Sequence, residues 1–346
     1  MKLLEVTDLA VSFPTADGLV RAVRGVSFSV DSGQTLGIVG ESGSGKSVAM
    51  LTLLGLVRGA DVSGQALFEG ESLLDMPEPR LRAVRGGRVG MVFQDPLTSL
   101  HPQYRVGWQI VEAIRAHQRT PRAAAHRRAV ELLRLVGIPR PEQRVDDYPH
   151  QFSGGMRQRA LIAMALANDP LLVIADEPTT ALDATVQAQI LLLLTRIRQE
   201  LGTAIIMISH DLGVIAEVAD QVVVMYAGRT AEVADRRTVF RRPHHPYTVG
   251  LLRSLPAPAD DAIRAGRLRP IPGLPPSLID LPPGCPFHPR CRYAMEMCRD
   301  VEPELRPVDG GPGHRSACWL PADAVGMSDS AEHRRLAAGP SPGRAA

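Results

Sequence analysis

The first 284 of the 346 residues contain no cysteine, so the main body of the chain can form neither a disulfide nor a thiolate metal site. No run reaches the ~18 uninterrupted apolar residues of a membrane span. The segments "ILLLLTRI" and "LLVIADE" are both cut short by charge. The N-terminus, MKLLEVTDLAVSFP, lacks the basic-then-apolar profile of a secretory signal. A formal net charge of +2, with no long block of one sign, leaves no electrostatic footprint for nucleic acid. The sequence also has no internal repeat. These absences predict a soluble, cytosolic chain, long enough for one large α/β domain and an appendix.

Residues 1–255 alternate short β-branched runs with helical patterns, the sign of a parallel sheet with crossover helices. Buried strands are expected at "TLGIVG" (35–40), "VGMVFQ" (89–94), "LLVIADE" (171–177), "TAIIMISH" (203–210) and "QVVVMYAG" (221–228). A helical stretch at about 105–165 interrupts the alternation and reads as a helical subdomain. Proline and glycine dominate after Leu255, so residues 256–322 are expected to form a small loop-rich extension of turns and extended chain. Residues 323–346 read as a disordered tail.

The strongest motif is "GESGSGKS", Gly40 to Ser47, a full G-x-x-x-x-G-K-[ST] phosphate loop between the strand "TLGIV" and the apolar helix "VAMLTLLGLV". Gly40, Gly43 and Gly45, with Ser42, allow backbone N–H groups to turn inward around phosphate oxygens. Lys46 is placed to reach the β- and γ-phosphates of ATP, and Ser47 to ligate Mg²⁺, at a positive helix N-terminus. In "LLVIADEP" four apolar residues bury a strand and Asp176 emerges at its end to hold Mg²⁺. Glu177 follows as a general base for an attacking water. Gln94 ends another expected strand, where its amide can reach Mg²⁺ or that water.

"FSGGMRQR", Phe152 to Arg159, opens a helix with Ser153 as N-cap and Gly154 and Gly155 behind it. This end offers a hydroxyl, N–H groups and a helix dipole to an anion. The phosphate loop already serves the phosphates of its own nucleotide, so a second anion-binding end makes sense for nucleotide held by another subunit.

Taken together, these motifs resemble the ATP-binding subunits of ABC transporters, which implies the P-loop NTPase fold of the ABC nucleotide-binding domain. "FSGGMRQR" is similar to the family's signature motif, with Phe152 and Met156 where Leu and Gln are commonest. "ALD" (181–183) resembles the D-loop, Gln94 the Q-loop residue, and His210 in "ISHD" the switch histidine at the γ-phosphate. Phe13 in "VSFP" is the candidate for stacking on adenine. The resemblance covers about residues 3–255.

A narrower resemblance rests on "FQDPLTSLHP", "YPHQFSGGMRQRALIAMALANDP" and "RRPHHPYTVGLLRSLP", in which "HPYT" (245–248) marks a C-terminal extension. These segments look like the ATPases of bacterial oligopeptide/dipeptide importers, a group that includes nickel importers, and more like the first of two non-identical ATPases. The resemblance implies a heterodimer with a homologous ATPase, two membrane permeases, an extracytoplasmic peptide-binding protein, and a place at the cytoplasmic face of the membrane. The alternative is a soluble ABC ATPase acting on ribosomes or DNA. Such proteins usually carry two cassettes, coiled-coil insertions or basic arms, and this chain has one cassette and near-neutral charge.

All four cysteines fall in the extension, Cys285, Cys291, Cys298 and Cys318, spaced C-x5-C-x6-C-x19-C. Clustered thiols in a reducing compartment point to metal before disulfides. Zinc usually pairs cysteines at C-x2-4-C, which this spacing does not match. Iron–sulfur clusters accept more varied spacings, and some members of the resembling group carry a [4Fe–4S] cluster in this extension. The segment is too short and too poor in apolar residues to fold around its own core, so a metal centre would cross-link it. A cluster is therefore expected, with zinc and four reduced thiols as alternatives. His288 and His314 are expected at the surface.

Overall fold

The computed structural model describes residues 2–180, 182–255, 270–308 and 313–322. The expected tail at 323–346 and Ala181 of "ALD" lie outside them. In chain order the elements begin with β1 (Lys2–Thr15), β2 (Gly18–Asp31), β3 (Thr35–Val39), α1 (Lys46–Leu53), β4 (Asp61–Phe68), β5 (Glu71–Ser72) and α2 (Glu78–Val84). Next come β6 (Val89–Val92), α3 (Pro96–Ser99), α4 (Val106–Arg115), α5 (Arg122–Leu135), α6 (Pro141–Arg144), α7 (Gly154–Ala165), β7 (Leu172–Asp176) and α8 (Ala184–Leu201). The rest are β8 (Ala204–Ser209), α9 (Leu212–Val218), β9 (Gln221–Tyr226), β10 (Arg229–Asp235), α10 (Arg236–Arg241), α11 (Pro246–Arg253), α12 (Met297–Asp300), β11 (Arg306–Pro307) and β12 (Arg315–Ser316).

The chain forms two compact units. The first is mainly Asp75–Ile208. Its strands β6, β7 and β8 pair side by side in parallel, with Val89 opposite Leu172 and Leu172 opposite Ala204. Every residue of β7 (LVIAD) and of β8 (AIIMIS) is buried. Such runs suit a parallel sheet covered on both faces, and each buried Val, Ile or Leu contributes about 1.5–3 kcal/mol. The helices of this unit include α4, α5 and α7, the stretch expected at about 105–165. The 18-residue α8 starts at Asp183, whose side chain accepts from Val186 N–H, and stops at Gly202 with φ 67°. Its interruptions by charge keep it off the membrane scale, and among the described residues no helix is long and apolar enough to cross a bilayer.

The second unit comprises Leu4–Ser29, Thr35–Leu74 and the chain from Ser209 on. It carries a four-stranded sheet in the order β2-β1-β4-β5, with β1 antiparallel to β4 and β4 to β5. The uniform α/β alternation expected of the N-terminal region gives no hint of this sheet. The wholly buried β3 pairs in parallel with β9, and β9 turns back into the antiparallel β10.

The extension is not only turns: β12 pairs with β10, placing Ser316 opposite Glu232, and β11 pairs with β12. Phe287, 3% exposed, packs its ring 5.2 Å from Tyr226 and 5.5 Å from Tyr247. His314 is buried, contrary to expectation, and its Nε2–H donates to Glu232 Oε1 at 2.7 Å. Glu232 is fully buried and also accepts from the backbone N–H groups of His244 (2.7 Å) and His245 (2.9 Å). Burial alone would raise its pKa, but these hydrogen bonds outweigh burial and hold it below the usual carboxylate range.

This network removes the reason for expecting a metal. Among the described residues no group of three or more His, Cys, Asp or Glu side chains is arranged to hold a metal ion. The expected [4Fe–4S] cluster, and zinc with it, is therefore corrected. Cys285, Cys291, Cys298 and Cys318 do border one cavity, but its volume is only about 20 Å³, room for about one water. Burial pushes the Cys285 thiol up to about 12 and the Cys318 thiol up to about 11, and raises Cys291 as well. Strand addition on β10, the Phe287 aromatic cluster and the Glu232 network cross-link the extension instead.

Candidate active site

In the second unit the phosphate loop leaves β3 and runs into α1. A Cβ on Gly40 would lie 2.2 Å from the Met225 carbonyl oxygen, and one on Gly45 (φ 93°) 2.2 Å from that of Ala22. Only glycine fits at either position, while Gly43 (φ 80°) stands in open space. Lys46 is 5% exposed, and its Nζ donates to Gly40 O (2.7 Å), Glu41 O (3.0 Å) and Ser44 Oγ (3.3 Å). Ser47 follows in the first turn of α1, which has no side-chain cap. A glycine loop opening into an uncapped helix N-terminus beside a buried ammonium fits the phosphates of ATP.

The same unit holds two more expected residues. His210 is exposed just past β8, ahead of Asp211, whose side chain caps α9. Phe13 is half-buried in β1.

In the first unit Asp176 ends β7 and is 6% exposed. Glu177 comes next with φ 48°, left-handed backbone that a Glu adopts only at a cost of about 1–3 kcal/mol. Its N–H donates to Ile208 O at 3.0 Å. Its Oε2 accepts from Gln94 Nε2 at 3.0 Å and from Thr180 Oγ1 at 2.9 Å. The strand before Gln94 stops at Val92, two residues earlier than expected, and Phe93 is 43% exposed. The amide of Gln94 is thus brought to the carboxylate itself. The sequence reading missed Thr180, although the "DEPTT" spacing was a usable signal: a hydroxyl three residues beyond a strand-end Glu can return to it.

Ser153 Oγ accepts from Met156 N–H at 3.3 Å and caps α7 as expected. A Cβ on Gly155 would lie 2.7 Å from Val186 Cγ1, so its glycine lets α7 approach α8 closely. Gly154 has no such constraint; its nearest neighbour is Leu182 Cδ2 at 3.8 Å.

A buried strand opening into a phosphate loop in one unit, and a strand-end Asp-Glu pair in the other, are the marks of a P-loop NTPase. A dimeric ATP-binding cassette bound to ADP and Pi matches with TM-score 0.61 at 24% identity, over 67% of this chain and 98% of that one. The cassette cbiO1 from Clostridium perfringens matches with TM-score 0.61 at 28% identity, over 72% and 95%. The ABC transporter family model matches residues 23–180, and that of the oligopeptide/dipeptide transporter C-terminal region matches 231–298. The oligopeptide transport ATP-binding protein OppD of Salmonella typhimurium is 49% identical over 93% of this chain and 95% of its own length. The dipeptide transport ATP-binding protein DppD of Escherichia coli is 47% identical over 94% and 99%. A probable peptide ABC transporter ATP-binding protein of Sinorhizobium fredii is 50% identical over 94% and 97%.

The chain belongs to the ABC transporter ATP-binding proteins, in their oligopeptide/dipeptide group.

Proposed function

We propose that this chain binds and hydrolyses ATP to power the import of peptides through a membrane transporter. The observation that carries the reading is the pairing, in one chain, of a complete phosphate loop with the family's C-terminal extension, in a sequence about half identical to named peptide-transport ATPases. Those relatives are transport proteins, which sets the soluble ribosome- or DNA-directed ATPase aside.

When bound, ATP with Mg²⁺ supplies the phosphoanhydride whose hydrolysis drives transport. Lys46 and the N–H groups of the loop neutralise and orient phosphate oxygens, and Ser47 and Asp176 are the ligands proposed for Mg²⁺. Glu177 takes the proton of the attacking water. Gln94 and Thr180 donate to the same carboxylate oxygen and so fix its orientation. His210 is assigned to the γ-phosphate, and Phe13 to adenine.

Ser153, Gly154 and Gly155 are proposed to close the ATP site of a homologous ATPase subunit, whose matching helix closes this one. ATP that binds the closed pair better than the open one supplies the differential needed to switch two permeases between orientations. Peptide would be delivered by an extracytoplasmic binding protein, with this subunit at the cytoplasmic face of the membrane. Reconstitution of the full complex in liposomes tests the proposal: uptake of a labelled oligopeptide should require ATP and should vanish with Glu177→Gln in this chain. Undiminished uptake by vesicles lacking this chain would refute it.

A further inference from the structure

Glu41 is the second residue of the phosphate loop, and residues far along the chain hold it in place. Arg290 grips its carboxylate with two bonds, Nη1 to Oε2 at 2.7 Å and Nη2 to Oε1 at 2.9 Å. The OH of Tyr247, a residue with 0% exposure, accepts from the Glu41 N–H at 2.8 Å. The Glu41 carbonyl in turn accepts from Lys46 Nζ at 3.0 Å. Carboxylate, N–H and carbonyl of this one residue are therefore all engaged, two of them by the C-terminal region and the third by the phosphate-binding lysine.

Arg290 is itself built in. Its side chain is 5% exposed, its Nε donates to Pro272 O at 2.9 Å, and Nη1 also donates to Tyr226 OH at 3.3 Å. The guanidinium lies 5.8 Å from the Tyr226 ring centre and 5.9 Å from that of Phe287. A two-pronged, charge-assisted pair of this kind fixes direction as well as distance. A buried guanidinium cannot exchange its carboxylate for water without a large desolvation cost.

We infer that Arg290 and Tyr247 are positioning residues for ATP binding: through Glu41 they hold the phosphate loop, and with it Lys46, in its phosphate-accepting shape. The inference rests on the reading that Gly40–Ser47 binds the phosphates of ATP. It gives the C-terminal extension a task in the nucleotide site, and it makes the segment between Cys285 and Cys291 part of that site's frame.

The test uses the full-length chain, with fluorescent ATP-analogue titration for Kd, hydrolysis rate at saturating ATP, and melting without nucleotide as a check of folding. Arg290→Lys keeps the charge but loses the fork, and should raise the ATP Kd about tenfold, as expected for loss of a charge-assisted pair. Tyr247→Phe keeps the buried ring, removes only the acceptor, and should raise Kd by about threefold. In both, the saturated rate should stay within about twofold, because neither side chain touches the reacting atoms. Folded Arg290→Lys and Tyr247→Phe proteins that bind ATP as wild type does would overturn the inference. So would a loss of saturated rate at unchanged Kd. Lys46→Ala serves as the separate control: if it too binds ATP normally, the reading of the loop itself fails.

Discussion

Acid should loosen the second unit through His245. Its imidazole is fully buried, and its Nδ1 accepts from Tyr247 N–H at 3.1 Å, capping α11. Burial lowers its pKa from 6.5 to about 4, with Glu232 pulling it up and His244 pushing it down. The folded value lies below the unfolded one, so the unfolded chain takes the proton first. Stability is therefore full above pH 6.5 and drains away as pH falls toward 4. The loss is about 2 kcal/mol at pH 5 and about 3 kcal/mol below pH 4. Protonation at Nδ1 would also remove the cap and, with it, the restraint that sets Tyr247 against Glu41. His245→Asn supplies a side-chain oxygen that can cap the helix but cannot titrate. Urea unfolding at pH 7.5 and pH 5.0, at constant ionic strength, should show wild type losing about 2 kcal/mol more than this variant. Glu232, His244 and the other histidines are common to both proteins, so their contributions cancel in the comparison. Equal losses in the two proteins would refute the argument.

Glu177→Gln should lower ATP turnover by about 10²–10⁴-fold while leaving nucleotide bound; turnover and analogue binding measured side by side decide it, and undiminished turnover removes Glu177 as the base. Gly155→Ala should destabilise by about 1–3 kcal/mol, because its Cβ would meet Val186 Cγ1 at 2.7 Å. Val186→Ala removes that atom and should restore the melting temperature in the double variant; a single variant that melts as wild type denies the contact. Cys285, pushed up to about 12 from 9.0, should carry about 10³-fold less thiolate than an ordinary cysteine at pH 8. Alkylation by iodoacetamide, mapped by mass spectrometry, should be slow in the native chain and fast in urea, and fast native labelling contradicts the burial argument.

What could be read from the sequence was whatever a short window determines. The phosphate loop, its flanking strand and helix, the Ser153 cap and the buried strands at 35–39, 172–176 and 204–209 each depend on neighbours within a few residues. The antiparallel sheet escaped because β1 pairs with β4 across 49 (Ser12–Asp61) to 64 (Leu4–Phe68) positions, and the register slips between Thr7 and Ala10, where Asp8 takes φ 48°. The Arg290–Glu41 pair spans 249 positions, and nothing local to either residue announces it. The cysteines misled for a related reason. Spacing records which thiols are close along the chain, but whether their side chains are arranged around a common centre is set by the fold, and among the described residues they are not. A shortage of apolar residues in the extension does not by itself lead to metal. The segment borrows the edge of β10, the rings of Tyr226 and Tyr247 and the carboxylates of Glu41 and Glu232. A proline-rich strap anchored this way loses its folded shape when its anchors go, and one anchor, Glu41, belongs to the phosphate loop. Conformational coupling between extension and loop is therefore a consequence of how the extension is stabilised, and it needs no redox centre.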